Sequence, residues 1–279
     1  MRELPNHGGS MRFSLNHMVA PRVPLSKLFT IAKAVGVDAV EIRNDLDDVE
    51  ILDGTSAAEI REGASSSGIE ILSINALQRF NDWSKEREGE ARSLINFASK
   101  CGAASIVLCP VNDPNYDPLP DEKAKFLHDA ILGLKPILED AGVVGLIEPL
   151  GFSQSSLRSK RSAIQAIRDA NAERIFRLVH DTFHHFVAGE GDVFADFTGL
   201  VHVSGITDAA LNREDMRDGH RGLVSSDDLI GNLEQLSALR QGGYAGAVSF
   251  EPFAASVAKS SNITGDLNAS IGYLRGAMI

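Results

Sequence analysis

Residues 144–148 read Val144-Gly145-Leu146-Ile147-Glu148, a short apolar run that stops on a carboxylate, and three later runs repeat the arrangement. They are Arg177-Leu178-Val179-His180-Asp181, Gly199-Leu200-Val201-His202 and Ala247-Val248-Ser249-Phe250-Glu251. Runs this short, rich in Val, Leu and Ile and without polar alternation, are the pattern of parallel strands covered on both faces. The chain between successive runs is long enough for a crossover. As neighbouring staves of one closed sheet, the runs would deliver Glu148, Asp181, His202 and Glu251 to one point at their carboxyl ends.

Working outward, the same alternation of strand-like and helix-like segments fills the chain. Strands are predicted over Arg12–Asn16, Ala39–Arg43, Ile69–Asn75, Ser105–Cys109, Val143–Glu148, Phe176–Asp181, Leu200–Ser204 and Ala247–Glu251. Helical patterns fall over Leu25–Val35, Ser56–Ser67, Glu86–Cys101, Asp121–Ala141, Lys160–Ala170, Asp227–Gln241 and Gly265–Met278, with the weakest pattern over 182–197. Gly36, Gly68, Gly102, Gly142 and Gly242 follow helices where a left-handed C-cap is wanted, and Ser226 or Asp227 is placed to cap the seventh helix. Eight such units predict the α/β class and a (β/α)₈ TIM barrel, with active groups on the loops after the strands. An open doubly wound sheet would show a Gly-rich phosphate turn after its first strand, and Asn16-His17-Met18-Val19-Ala20-Pro21 is no such turn. One domain over 11–279 is expected, preceded by a disordered polar extension over 1–10 that lacks the apolar core of a signal peptide. The longest connection, 204–225, follows the seventh strand and forms a natural lid.

Composition narrows the function. A chain of 279 residues, 43% hydrophobic and 23% charged, can bury a large core. Its formal charge of −11 argues against a nucleic-acid partner, since gripping phosphates needs a basic face. No window reaches the ~18 apolar residues of a membrane span. Only Cys101 and Cys109 occur, so no disulfide framework exists and a reducing, cytoplasmic compartment is expected. Both read as small buried hydrophobes.

Each strand-end residue alone is weak evidence: a lone carboxylate is more often a loop cap, and a lone His202 more often a core histidine. Together they change the odds. Four ionisable groups facing one cavity would repel and resist desolvation unless a cation sat among them. Three carboxylates and one imidazole, without a thiolate, suit Mn²⁺, Co²⁺, Mg²⁺ or Zn²⁺. No organic cofactor is implied. Arg217, in the loop over the barrel mouth, is placed to bridge a substrate hydroxyl or enolate oxygen. Phe80 and Trp83, after the third strand, would wall the pocket. Arg158, Lys160 and Arg161 read as a solvated helix start, and His185 as a packing group.

The residues also carry a resemblance. The runs ending in Glu148, Asp181, His202 and Glu251 resemble the metal signature of the sugar isomerase/epimerase barrels related to xylose isomerase. Asp181-Thr182-Phe183-His184 is similar to that family's Asp-x-x-His step, which implies that His184 contacts a substrate oxygen. Within the family the likeness narrows to the inosose isomerase branch of inositol catabolism. It shows in Val40-Glu41-Ile42-Arg43, in residues 75–81 (Asn75-Ala76-Leu77-Gln78-Arg79-Phe80-Asn81), and in Ile147-Glu148 with Gln154 beyond. It continues in Asp181-Thr182-Phe183-His184-His185 and Asp215-Met216-Arg217, so that about residues 11–275 are covered. The resemblance implies a metal-dependent isomerase that moves a carbonyl to the adjacent carbon of a cyclic polyol ketone through an enediolate. Glu148 and Glu251 would then exchange the proton, and Asn75, Gln154, His184 and Arg217 would bind the polyol or ketose. Relatives are often homo-oligomers, which extends to an expected homo-oligomer here. The chain departs from the family at 217–222, Arg217-Asp218-Gly219-His220-Arg221-Gly222, where relatives carry Arg followed by Pro-Gly-x-Gly.

Rival readings share the scaffold. A ketose 3-epimerase or hydroxypyruvate isomerase would use the same ion and differ in pocket shape, and Gln154, where epimerases often carry Glu, favours the inosose branch. An endonuclease IV-like phosphodiesterase needs further His ligands at the ends of strands two and three, where Arg43-Asn44-Asp45 and Asn75-Ala76-Leu77 supply none. A non-catalytic sugar-binding barrel would keep the metal without turnover.

Overall fold

The computed structural model describes residues 11–277, so the extension expected over 1–10 and Met278 of the last predicted helix lie outside the described residues. Among them, β1 (Arg12–Asn16), β2 (Ala39–Arg43), β3 (Glu70–Leu77), β4 (Ser105–Leu108), β5 (Val144–Ile147), β6 (Phe176–Asp181), β7 (Thr198–Val203) and β8 (Ala247–Phe250) pair in sequence order. Each pair is parallel, and β8 returns to β1 to close the barrel. The (β/α)₈ class is therefore the observed one. The ladder outlasts the assigned strands: Glu148 N–H donates to the Leu108 carbonyl at 3.1 Å and Glu251 N–H to the Val203 carbonyl at 3.0 Å.

Helices fill the crossovers: α1 (Leu25–Ala34), α2 (Ala57–Ser67), α3 (Lys85–Cys101), α4 (Pro120–Ala141), α5 (Lys160–Asp169), α6 (Thr182–Ala188), α7 (Asn232–Gln241), α8 (Ala255–Ala258) and α9 (Ile263–Ala277). Their starts are chemically marked where a cap exists. Ser56 and Glu59 exchange side-chain and backbone hydrogen bonds at the start of α2, a capping box of the kind worth about 1 kcal/mol. Two predicted boundaries are corrected. Helix α7 begins at Asn232, not Asp227, because the Asp228 carboxylate is engaged with the amides of Ile206 (3.2 Å) and Asn232 (3.0 Å), which holds 226–230 as a turn against β7. The left-handed glycine after α7 is Gly243 (φ +93°), not Gly242 (φ −75°). Gly242 is needed small instead, since a Cβ there would come within 2.6 Å of the Ala195 Cβ.

Side chains two apart on a strand share a face. Leu146, Val179 and Leu200 therefore point into the barrel beneath Glu148, Asp181 and His202, and they join Val107 and Cys109 in one apolar cluster. This is the floor of the site. A second cluster of Leu150, Phe152, Phe183, Val187, Ile206 and Met216 covers the same end from the loops after β5, β6 and β7. The larger core lies between sheet and helices and takes up Phe80, fully buried, with Trp83 packed on it. Trp83 rests on Gly133 of α4, where a Cβ would come within 2.3 Å of its ring, so these two aromatics belong to the outer core and do not wall the mouth. No helix among the described residues is long and apolar enough to cross a membrane.

Candidate metal centre

Four adjacent staves bring Glu148, Asp181, His202 and Glu251 together. One ligand atom from each lies within 4.8 Å of all the others, and all four side chains are buried. Ligand bonds of about 2.0–2.2 Å place opposite donors roughly 4.2 Å apart, so the cluster has the size of one coordination sphere. Strand register explains the convergence: Asp181 is paired with His202, and His202 with Ser249, two residues before Glu251.

The imidazole is oriented for ligation. His202 Nε2 lies 3.1 Å from one oxygen of Glu41 and 3.2 Å from the other, so it donates to this carboxylate and Nδ1 is the nitrogen whose lone pair a metal ion would take, on loss of its proton. Nδ1 faces Glu148 Oε1 at 2.8 Å, Glu251 Oε2 at 3.2 Å and Asp181 Oδ2 at 3.9 Å. A carboxylate behind a histidine in this way fixes its tautomer and raises its basicity toward a metal. Glu41 is itself held by the Ser73 hydroxyl (2.5 Å) and the Asn75 amide (2.8 Å). Neither Glu41 nor this support was predicted. An acidic residue inside the fully buried run Ala39-Val-Glu-Ile-Arg43 was the available signal.

Electrostatics supply the test of fit. Burial opposes protonation of His202, yet Glu251, Glu41 and Glu148 outweigh it and lift the imidazole well above the ordinary histidine value. Glu251 is the reverse case: burial would raise its pKa, but His202, Arg221 and Arg43 hold it well below the usual carboxylate range. The buried groups are the carboxylates Glu41, Glu148, Asp181 and Glu251 and the guanidiniums Arg43 and Arg221. Four negative and two positive charges leave −1 with His202 protonated and −2 with His202 neutral, as a metal ligand would be, and one divalent cation would remove that deficit. The donor set and its charge fit a divalent ion; Glu148, Asp181, His202 and Glu251 would hold it.

The remaining candidates fall in different places. His184 is buried beside the centre. Its Nδ1 accepts from the Gly151 amide at 3.2 Å, which leaves Nε2 as the protonated nitrogen and a donor. The Asp-x-x-His spacing has a local cause, since Asp181 is the N-cap of α6 and its Oδ1 accepts from the His184 amide at 2.8 Å while Oδ2 turns to the centre. Asn75 reaches Glu41 and supports His202 from behind. Gln154 is half-buried on the loop after β5, with Ser153 donating to it. Arg217 is not brought to the cluster: it is exposed, and its guanidinium donates to the carbonyls of Glu214 and Met216. Arg221, four residues on, reaches inward instead and bonds Asp181 and Glu251 at 2.6 and 2.9 Å. Cys109 is buried as expected but polar in use, its Sγ lying 3.5 Å from Glu148 Oε2. Lys160 is no solvated charge; it is 3% exposed and bonds His185 and Glu190, because α6 folds over the start of α5.

Comparison with known proteins agrees with the architecture. The family described as xylose isomerase-like TIM barrel matches residues 29–276. The inosose isomerase of Halalkalibacterium halodurans is 25% identical over 229 residues, 78% of this chain and 79% of that protein. A xylose isomerase domain containing protein of Salmonella typhimurium LT2 is 33% identical and superposes with a TM-score of 0.87 over 96% of this chain and 99% of that chain. The IolI protein, crystallised with a bound zinc atom, gives 20% identity and a TM-score of 0.83 over 96% of this chain and 98% of that chain, a likeness of fold.

Proposed function

The chain belongs to the xylose isomerase-like TIM barrel family, and from that premise we propose that it is a metal-dependent isomerase of a cyclic polyol ketone, of the 2-keto-myo-inositol type. The carbonyl moves to the adjacent carbon by way of an enediolate. The observation that carries this reading is the buried set of Glu148, Asp181, His202 and Glu251 with a charge deficit of two. A divalent ion held there, for which the donor set suits Mn²⁺, Co²⁺, Mg²⁺ or Zn²⁺, would supply Lewis-acid stabilisation of negative charge on oxygen. The similarity to an inosose isomerase along 78% of the chain supports the cyclic substrate.

The two catalytic carboxylates differ in what surrounds them. Glu251 accepts from Asn16 (3.1 Å), Arg43 (3.0 Å) and Arg221 (2.9 Å), and each donor weakens it as a base. Among the described residues Glu148 bonds no guanidinium; its side-chain partners are His202 and the Cys109 thiol. Glu148 is accordingly the base that takes the proton from the carbon beside the ketone and returns it to the neighbouring carbon. Glu251 stays ionised and fixes the ligand geometry. His184 donates through Nε2 to a substrate oxygen, Gln154 contacts a hydroxyl from the loop after β5, and Asn75 acts through Glu41.

The test is NMR in D₂O with Mn²⁺- or Zn²⁺-loaded protein and 2-keto-myo-inositol. Migration of the carbonyl with deuterium at the exchanged carbon is the expected result. Inertness toward the inosose with epimerisation of a linear ketose at its third carbon would transfer the assignment to a ketose 3-epimerase, and inertness toward both would overturn it.

A further inference from the structure

Arginine is rarely fully buried unless its charge is matched. Arg221 is 1% exposed and lies in a loop whose neighbours are largely exposed. Its guanidinium is sandwiched between the rings of Phe183 (5.1 Å) and Phe253 (4.7 Å). Nε donates to the Ser204 hydroxyl and Nη1 to Asp218, both at 3.0 Å. Nη2 donates to Asp181 Oδ2 and Glu251 Oε2. Those two oxygens are the ones turned toward His202 Nδ1. A second charge of the same sign thus sits on the donor atoms that a metal ion would use.

We propose that Arg221 is an internal cation that shares two ligand oxygens with the divalent ion and thereby sets how tightly that ion is held. The inference rests on the metal reading of the centre. A carboxylate oxygen has lone pairs for two partners, so ion and guanidinium can share it, but their mutual repulsion at such short range weakens the ion's hold. Without the guanidinium the buried carboxylates would face Arg43 alone, and the charge deficit left to the ion would rise from two to three. Arg221 therefore keeps the ion-free centre folded and the bound ion exchangeable. The same residue ties the loop after β7 to the centre. Its carbonyl accepts from the amides of Phe253 (2.9 Å) and Ala254 (2.8 Å), and the next residue, Gly222, pairs with Gly205 across the base of the loop. Arg221 is thus a positioning residue.

The experiment is calorimetric titration of Zn²⁺ into chelator-stripped wild-type protein and into Arg221→Met, whose side chain fills the slot between the two phenylalanines without a charge. The variant is expected to bind Zn²⁺ at least tenfold more tightly, equivalent to about 1.4 kcal/mol, and its ion-free form to melt at a lower temperature than the wild type. If Arg221→Met does not fold, Arg221→Gln replaces it: a neutral amide keeps a donor for this buried position while removing the charge, and a gain of at least threefold is expected. Binding by the wild type with equal or weaker binding by the folded variant overturns the role of Arg221 and leaves the metal centre standing. No binding by wild type or variant overturns the metal reading and this inference with it.

Discussion

The molecule buries two clusters of charge on opposite faces of one strand, and they are built on different principles. Inward from β6, Asp181 joins Glu41, Glu148, Glu251, Arg43, Arg221 and His202, with more negative than positive groups. Outward, His180 meets His185 at 4.8 Å between ring centroids, the rings tilted by 36°, and donates to Gln235 at 2.9 Å, while Lys160 bonds His185 Nδ1 at 2.6 Å and pairs with Glu190 at 3.3 Å. The outer cluster is balanced: one lysine, one glutamate and neutral imidazoles. The histidines record the contrast. His202 is driven toward its protonated form by three carboxylates, whereas burial and Lys160 push His185 down to about 4, and burial with Lys160 and His185 pushes His180 well below its ordinary value. A buried cluster with its charges matched needs nothing further, and one left with a deficit is a place for a ligand.

The largest effect that would sharpen this contrast is on turnover. Glu148→Gln removes the proposed base with little change of shape, and kcat should fall by 10²–10⁴-fold in the NMR assay; near-normal turnover would contradict the role. Next is ion removal. At a free ion concentration a hundred times its dissociation constant, the ion should stabilise the fold by about 2.7 kcal/mol, read as a higher urea midpoint that a chelator reverses. Lys160→Met, on the balanced side, should cost less, about 1–2 kcal/mol, because Glu190 keeps its bonds to the Ser159 hydroxyl and the Lys160 and Arg161 amides. Its affinity for Zn²⁺ should stay within threefold of the wild type, and a larger change would show that the clusters are not independent.

A further effect is one of pH. Because the folded protein holds His185 at about 4 against the ordinary 6.5, the unfolded chain takes up a proton in that window that the folded chain refuses. Stability therefore falls as pH drops from about 6.5 to 4 on this residue's account. His185→Gln should flatten that stretch of the urea midpoint against pH, and an unchanged slope would assign the acid sensitivity elsewhere.

The barrel was legible because eight apolar runs alternate with helical periods, and buried parallel strands leave that signature whatever their partners. The strand-end residues were legible for a related reason: Glu148, Asp181, His202 and Glu251 interrupt apolar runs at one end, and parallel register then carries them to a common place. What escaped depends on direction rather than on spacing. Lys160 looked like a solvated helix start because the sequence does not show that α6 covers it. Arg217 and Arg221 stand in one irregular loop, where no period says which turns inward; packing of Arg221 between Phe183 and Phe253 decides it. Glu41 was visible as a charge within an apolar strand, but its partner His202 lies 161 residues away. The start of α7 differs from the sequence reading because Asp228 accepts from the Asn232 amide from within a turn that the sequence alone reads as helix.

The central claim, that the unbalanced cluster holds a divalent ion, is tested most directly by anomalous diffraction from crystals soaked in Zn²⁺. The account predicts a peak at the barrel mouth with one atom each of Glu148, Asp181, His202 and Glu251 at about 2.0–2.2 Å. No peak there at saturating Zn²⁺, or a peak at the balanced cluster around His185 and Glu190 in its place, would contradict it.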